Sequence, residues 1–208
     1  MMKRIVLMSL LALALPLSAV ADNPVDFQNN NGTLAGSSSG LTLTGSTLTA
    51  VSGFNGMGLL QGSNLGSVSF TTGAENGTAA LTGNATFAAG GTFTITGNGT
   101  NGLPNGTIFA GTFTSPVTWT ALELANGTYK YTLQGAISGT WVKTGVTVYG
   151  ITIQLTTNTG KGGFSGSATL GSGDTNIDAP TVPEPGTLGL LGTGLIGVAG
   201  ALRRKMKS

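Results

Sequence analysis

Few residues in this sequence could do acid, base or nucleophile chemistry. There is no cysteine and no histidine. That removes thiol nucleophiles, Ser-His-Asp triads, His-based acid/base pairs, disulfides and Cys/His zinc sites. A glycosidase needs two facing carboxyl groups, and the acids well inside the chain are Glu75 and Glu123. Glu123 alternates with Leu122 and Leu124, which turns it toward solvent. The run Asp174-Thr175-Asn176-Ile177-Asp178 sets three oxygen groups at alternate positions, as calcium loops begin. Ala179 stands where such a loop needs glycine and Pro185 where it needs a bidentate Glu, so the run reads as a soluble tether. Trp119, Trp141, Tyr129, Tyr131 and Tyr149 would serve a carbohydrate-binding module if four or five shared one exposed face. Most alternate with threonine, as core-facing residues do. Gly160-Lys161-Gly162-Gly163 lacks the rest of a phosphate-binding loop. No catalytic residue, metal or cofactor is assigned, and the body is expected to be non-enzymatic.

The charges lie mostly at the ends. Of the nine basic residues, Lys3 and Arg4 sit near one terminus, and Arg203, Arg204, Lys205 and Lys207 near the other. Between residues 22 and 185, three lysines oppose seven acids, a formal charge of −4. Such a body would not neutralise a phosphate backbone, so no nucleic-acid partner is expected.

The two ends read as processing segments. Met1-Met2-Lys3-Arg4 is followed by an apolar run over residues 5–17 and by Ser18-Ala19-Val20-Ala21. Small residues at Ala19 and Ala21 complete a secretory signal peptide over residues 1–21, cut after Ala21 by signal peptidase. Near the other end, Pro183-Glu184-Pro185 is a stiff, extended segment, because proline fixes φ and restrains its predecessor. An uncharged apolar stretch covers residues 188–202, and with Gly186 and Thr187 it makes a transmembrane helix over 186–202. The basic tail at 203–208 holds that end in the cytoplasm.

This ordered set resembles the PEP-CTERM sorting signal of Gram-negative bacteria. The resemblance covers residues 182–208. It implies that Pro183, Glu184 and Pro185 form the sorting motif and that Arg203, Arg204, Lys205 and Lys207 form its basic tail. It also implies an exosortase-type membrane enzyme as partner, transient anchoring in the inner membrane with the body outside the cytoplasm, and final delivery to the cell surface or extracellular matrix. A link to exopolysaccharide and biofilm is implied by the resemblance alone.

The body between these segments shows a period of two. Leu41-Thr42-Leu43-Thr44, Val68-Ser69-Phe70-Thr71, Thr92-Phe93-Thr94-Ile95-Thr96, Val117-Thr118-Trp119-Thr120, Tyr129-Lys130-Tyr131-Thr132-Leu133 and Ile151-Thr152-Ile153-Gln154-Leu155 all alternate apolar with polar. These are half-buried antiparallel strands, and β-branched threonine suits them. Seven Asn-Gly dipeptides punctuate the chain and suit type I′ hairpin turns. The clearest hairpin turns at Asn126-Gly127. Ten to twelve strands fit in a Gly/Thr-rich antiparallel β-sandwich or flattened barrel, with a β-solenoid as the alternative. The expected β-domain spans residues 41–170. It is preceded by a flexible lead-in over 22–40, with an edge strand near Leu34, and followed by a linker over 171–185.

Overall fold

Alternation of this kind buries one face of every strand, and that face must find a partner layer. In the computed structural model, which describes residues 24–77 and 80–178, the sheet supplies that layer by closing on itself. Eleven strands form: β1 (Val25–Asn30), β2 (Thr33–Ser37), β3 (Gly40–Ser52), β4 (Leu60–Thr71), β5 (Ala85–Phe87), β6 (Gly90–Asn98), β7 (Asn105–Phe113), β8 (Val117–Glu123), β9 (Tyr129–Trp141), β10 (Val146–Thr156) and β11 (Ser167–Ile177). Three pairs of consecutive strands are halves of one bent strand. β1 and β2 both lie between β3 and β11. β7 and β8 share the same edge of β9. β5 and β6 pair with β8 and β7 in turn.

Around the ring each strand position pairs antiparallel with the next in sequence, from β3 through β4, β6, β7, β9 and β10 to β11. β11 then pairs back to β1, with Val25 opposite Ile177. The result is an up-and-down barrel of about eight strand positions, a size whose interior side chains just fill. Closure removes the open edges that a sandwich would leave. It also sets aside the solenoid, whose terminal repeats do not meet.

Phe70, Phe93, Phe109 and Phe113 pack edge to face and stacked across the middle, with centroids 5.7–6.3 Å apart. Trp141, Phe54 and Phe27 fill one end. Trp119, Tyr131 and Phe164 fill the other. Leu41, Leu43, Val68, Ile95, Val117 and Leu133 are buried as their alternation requires.

Several expectations need correction. The stretch 22–40 is not a flexible lead-in over its described part, because β1 and β2 occupy most of it and bury Val25, Phe27 and Leu34. Nor is the strand at Leu34 an edge, since β2 has β3 on one side and β11 on the other. The linker does not begin at 171, because β11 continues to Ile177 and buries Thr175 and Ile177. Alternation in Val25-Asp26-Phe27-Gln28-Asn29 and Gly173-Asp174-Thr175-Asn176-Ile177 is real, but its inward positions include Asn29, Gly173 and Thr175, which hide it.

The Asn-Gly turns divide. Asn101-Gly102 is a type I′ turn, with φ of 52° and 84° and Leu103 N–H donating to the Thr100 carbonyl at 3.0 Å. The β8–β9 hairpin exists, with Glu123 opposite Tyr129, but only Gly127 of its Asn-Gly pair has positive φ. Asn126 instead keeps ordinary backbone, and its Oδ1 accepts from the Thr128 hydroxyl at 2.6 Å and backbone N–H at 3.1 Å. That is a three-residue turn with a glycine bulge.

Candidate functional site

The residues assigned to sorting and cleavage, Ala19, Ala21, Pro183, Glu184, Pro185, Arg203, Arg204, Lys205 and Lys207, lie outside the described residues. So do the signal peptide and the 186–202 helix. Among the described residues no helix is long and apolar enough to cross a membrane. Val25 and Ile177 are opposed, so both ends of the described body lie at the same end of the β1–β11 pair. Asp178 N–H donates to the Tyr149 carbonyl at 2.8 Å and secures the exit.

The sites weighed in the body change character in three dimensions. Trp119, Trp141 and Tyr131 are buried core residues, and of the five aromatics only Tyr149 is well exposed, at 62%. No aromatic platform for sugars is formed by these five. Glu75 bridges to Phe87, which pairs with Val117, and Glu123 lies six residues further along that strand. At roughly 3.3 Å per residue that is about 20 Å along the strand, well past the separation of a glycosidase pair. Glu123 sits beside Tyr129, and its charge raises the phenol above its ordinary 10.0. An open groove of about 560 Å³ beside the β2–β3 turn is lined by Gly36, Ser37, Ser39, Leu41, Thr72 and Gly166 among others, with no charged side chain.

Two features were not foreseen. The first is a polar cluster inside the barrel wall between β1, β3, β10 and β11. Asn29 donates through Nδ2 to Ser46 Oγ at 2.8 Å and to Gln154 Oε1 at 3.0 Å. Gln154 Nε2 donates to Thr152 Oγ1 at 2.8 Å, and the Thr152 and Thr175 hydroxyls lie 2.9 Å apart. Each residue is buried and each has partners, which is the condition for tolerating polar groups there. Gln154 occupies the space that a side chain at Gly173 would take. With Thr152 and Gln154 inside, β10 must turn its other face outward. Ile151 and Ile153, expected to be core, are therefore 50% and 43% exposed, beside Tyr149.

The second is on the outer face of the strands that close the ring. Asp26 and Asp174 lie on neighbouring strands at diagonal positions, since Asp26 is opposite Asn176 and Gln28 opposite Asp174. Gln28 Nε2 donates to Asp26 Oδ2 at 3.1 Å, and Asn176 Nδ2 donates to Asp174 Oδ1 at 2.7 Å. Asp26 Oδ1 is buried and has no partner. Burial first, then the charge of Asp26 and a hydrogen bond with it, raise the Asp174 carboxyl above its ordinary 3.8. The alternation that suggested a calcium loop is thus the outward face of β11, and its neighbour Asp26 comes from the far end of the body.

Comparison with known proteins bears on the C-terminal segment. No curated protein and no solved structure matches the chain. Residues 181–205 match the family described as the PEP-CTERM protein-sorting motif. That match covers Pro183, Glu184 and Pro185 and three of the four basic residues, and it implies export and processing by an exosortase-type enzyme. The barrel contributes nothing to that assignment: it is through residues 181–205 that the chain carries a PEP-CTERM protein-sorting motif.

Proposed function

We propose that the protein is an exported, non-enzymatic β-barrel delivered to the cell surface or extracellular matrix by its C-terminal sorting segment. The match over residues 181–205 carries this reading. Signal peptidase cuts after Ala21, and residues 188–202 hold the exported chain in the inner membrane. Arg203, Arg204, Lys205 and Lys207 stay cytoplasmic and keep the short helix from being drawn through. The exosortase-type enzyme grips Pro183-Glu184-Pro185, whose prolines hold it extended. Glu184 is the only charge within five residues on either side, which makes it the recognition handle. The barrel is the cargo. Its body carries few charges and its strands alternate with threonine and serine, which suits a hydrated polymer matrix, and the family resemblance supplies the association with exopolysaccharide and biofilm. The buried aromatics and the separation of Glu75 from Glu123 support a non-enzymatic role.

Two outcomes are expected in the native host. N-terminal sequencing of exported material should begin at Asp22; a sequence beginning at Met1 would refute signal cleavage. Glu184→Ala should leave that cleavage intact and strand the protein in the membrane fraction, with released protein falling severalfold on a fractionation blot. Release of the variant at normal size and amount would reduce the motif to a plain stalk.

A further inference from the structure

We propose that the seam closing the barrel is an acid-strengthened latch in which Asp26 and Asp174 share one proton between β1 and β11. Asp26 Oδ1 is buried without a partner, and a buried acceptor left bare is costly. Two side-chain amides on these strands each give one N–H to a carboxylate, and neither gives one to Asp26 Oδ1: Gln28 Nε2 donates to Asp26 Oδ2, and Asn176 Nδ2 donates to Asp174 Oδ1. The carboxyl of Asp174 lies diagonally across the β1–β11 pair on the same outward face, and Asp26 is among the groups that raise it. A proton on Asp174 supplies the donor and removes one of two like charges, the arrangement by which neighbouring carboxyls settle.

The surroundings reinforce this. On the outward face β3 offers Ser52 opposite Asp26, and β10 offers Ile151 and Ile153 opposite Asn176 and Asp174. Asp178, beyond the end of β11, adds a third negative charge on the same face. The lysines of the described residues lie on β9, in the β9–β10 turn and in the β10–β11 loop: Lys130, Lys143 and Lys161. The seam is also where the two chain ends of the body meet, so its strength decides whether the ring is open or closed.

The sign follows from linkage. The Asp174 carboxyl is raised in the folded state, so the folded chain holds a proton that the unfolded chain has released. Its contribution is fully present below the ordinary aspartate value and is lost as pH rises through the raised one. Asp174 is partly solvated, so the effect is modest.

The test is thermal melting of the full-length protein in mild detergent with chelator present, for wild type and Asp174→Asn, from about pH 4.5 to about pH 7.5. Asparagine keeps a donor and carries no charge. At the upper pH the variant should melt about 2–4 °C above wild type, and the gap should close toward the lower pH. Hydrogen exchange of the β1 and β11 amides should slow in the variant at the upper pH only. A gap that is constant with pH, or a variant that melts lower at the upper pH, would overturn the latch. Should Asp174→Asn fail to give the wild-type far-ultraviolet spectrum, Asp26→Asn must show the same pH-dependent gain. If calcium chloride without chelator raises the melting of wild type but not of Asp174→Asn, the pair holds a cation and the shared proton is refuted.

Discussion

Replacing Trp119 by alanine should cost about 4 kcal/mol, the upper part of the range for truncating a buried aromatic. Trp119 is 1% exposed and stacks on Tyr131 with ring centroids 4.7 Å apart and planes 9° from parallel. Phe164 meets it edge-on at 5.2 Å. Its Nε1 donates to the Leu81 carbonyl at 2.9 Å, and Tyr131 Oη donates to the Thr82 carbonyl at 3.0 Å, so the two rings together pin the segment that caps this end of the barrel. Alanine leaves a cavity and frees one of those two anchors. A domain of this size has roughly 5–15 kcal/mol in hand, and its melting temperature should fall by about 10 °C. Trp119→Phe separates the two terms, because it keeps most of the apolar volume and loses the hydrogen bond; it should cost about 1–2 kcal/mol. Equal losses in the two variants on urea denaturation would mean that packing at this end contributes little.

An equally large loss is expected from a residue with no side chain at all. Gly139 on β9 is opposite Gly111 on β7, and both are half-buried. A Cβ at Gly139 would overlap the Ala110 carbonyl oxygen and the Gly111 Cα, and would come within 2.7 Å of the Ala110 carbonyl carbon. These are backbone atoms of a paired strand and cannot swing aside. Gly139→Val should therefore destabilise by about 3–5 kcal/mol or prevent closure. Gly162→Ala is the control, since nothing lies within 4 Å of its added Cβ. It should stay within about 0.5 kcal/mol of wild type. A Gly139→Val protein with an unchanged urea midpoint would show that β7 and β9 do not approach as described.

Consecutive residues were legible where apolar side chains mark the inward face, and not in β1 and β11, where Asn29, Gly173 and Thr175 take inward positions. Strands such as Val68–Thr71 and Thr92–Thr96 declare their buried face because Phe70 lies between Ser69 and Thr71 and Phe93 between two threonines. The sorting segment declares itself because its parts follow one another in order. β10 shows where this stops. Ile151-Thr152-Ile153-Gln154-Leu155 alternates cleanly, yet which face points inward is decided by Gly173 and Asn29 on other strands, and they favour glutamine. Asp26 and Asp174 are close only because the ring closes, and no local pattern reports a contact between residues so far apart in sequence. Of the aromatics weighed for sugar binding, alternation with threonine already turns most inward, and Trp119, Trp141 and Tyr131 are buried.

The β1–β11 pairing also governs the order of events. Apart from the β1–β11 and β2–β11 pairings, each strand position in the ring pairs with the next in sequence and can do so as soon as that strand is available. Closing the ring must wait for β11, and until then β1 and the newest strand remain open edges that can recruit other chains. During export from the N-terminus, the growing sheet therefore keeps open edges until β11 arrives. Once Ile177 is across, the ring has all its strands, and the sorting motif four residues further on has yet to be used. All eleven strands lie between Val25 and Ile177, so closing the ring needs nothing from the sorting motif or the residues that follow it.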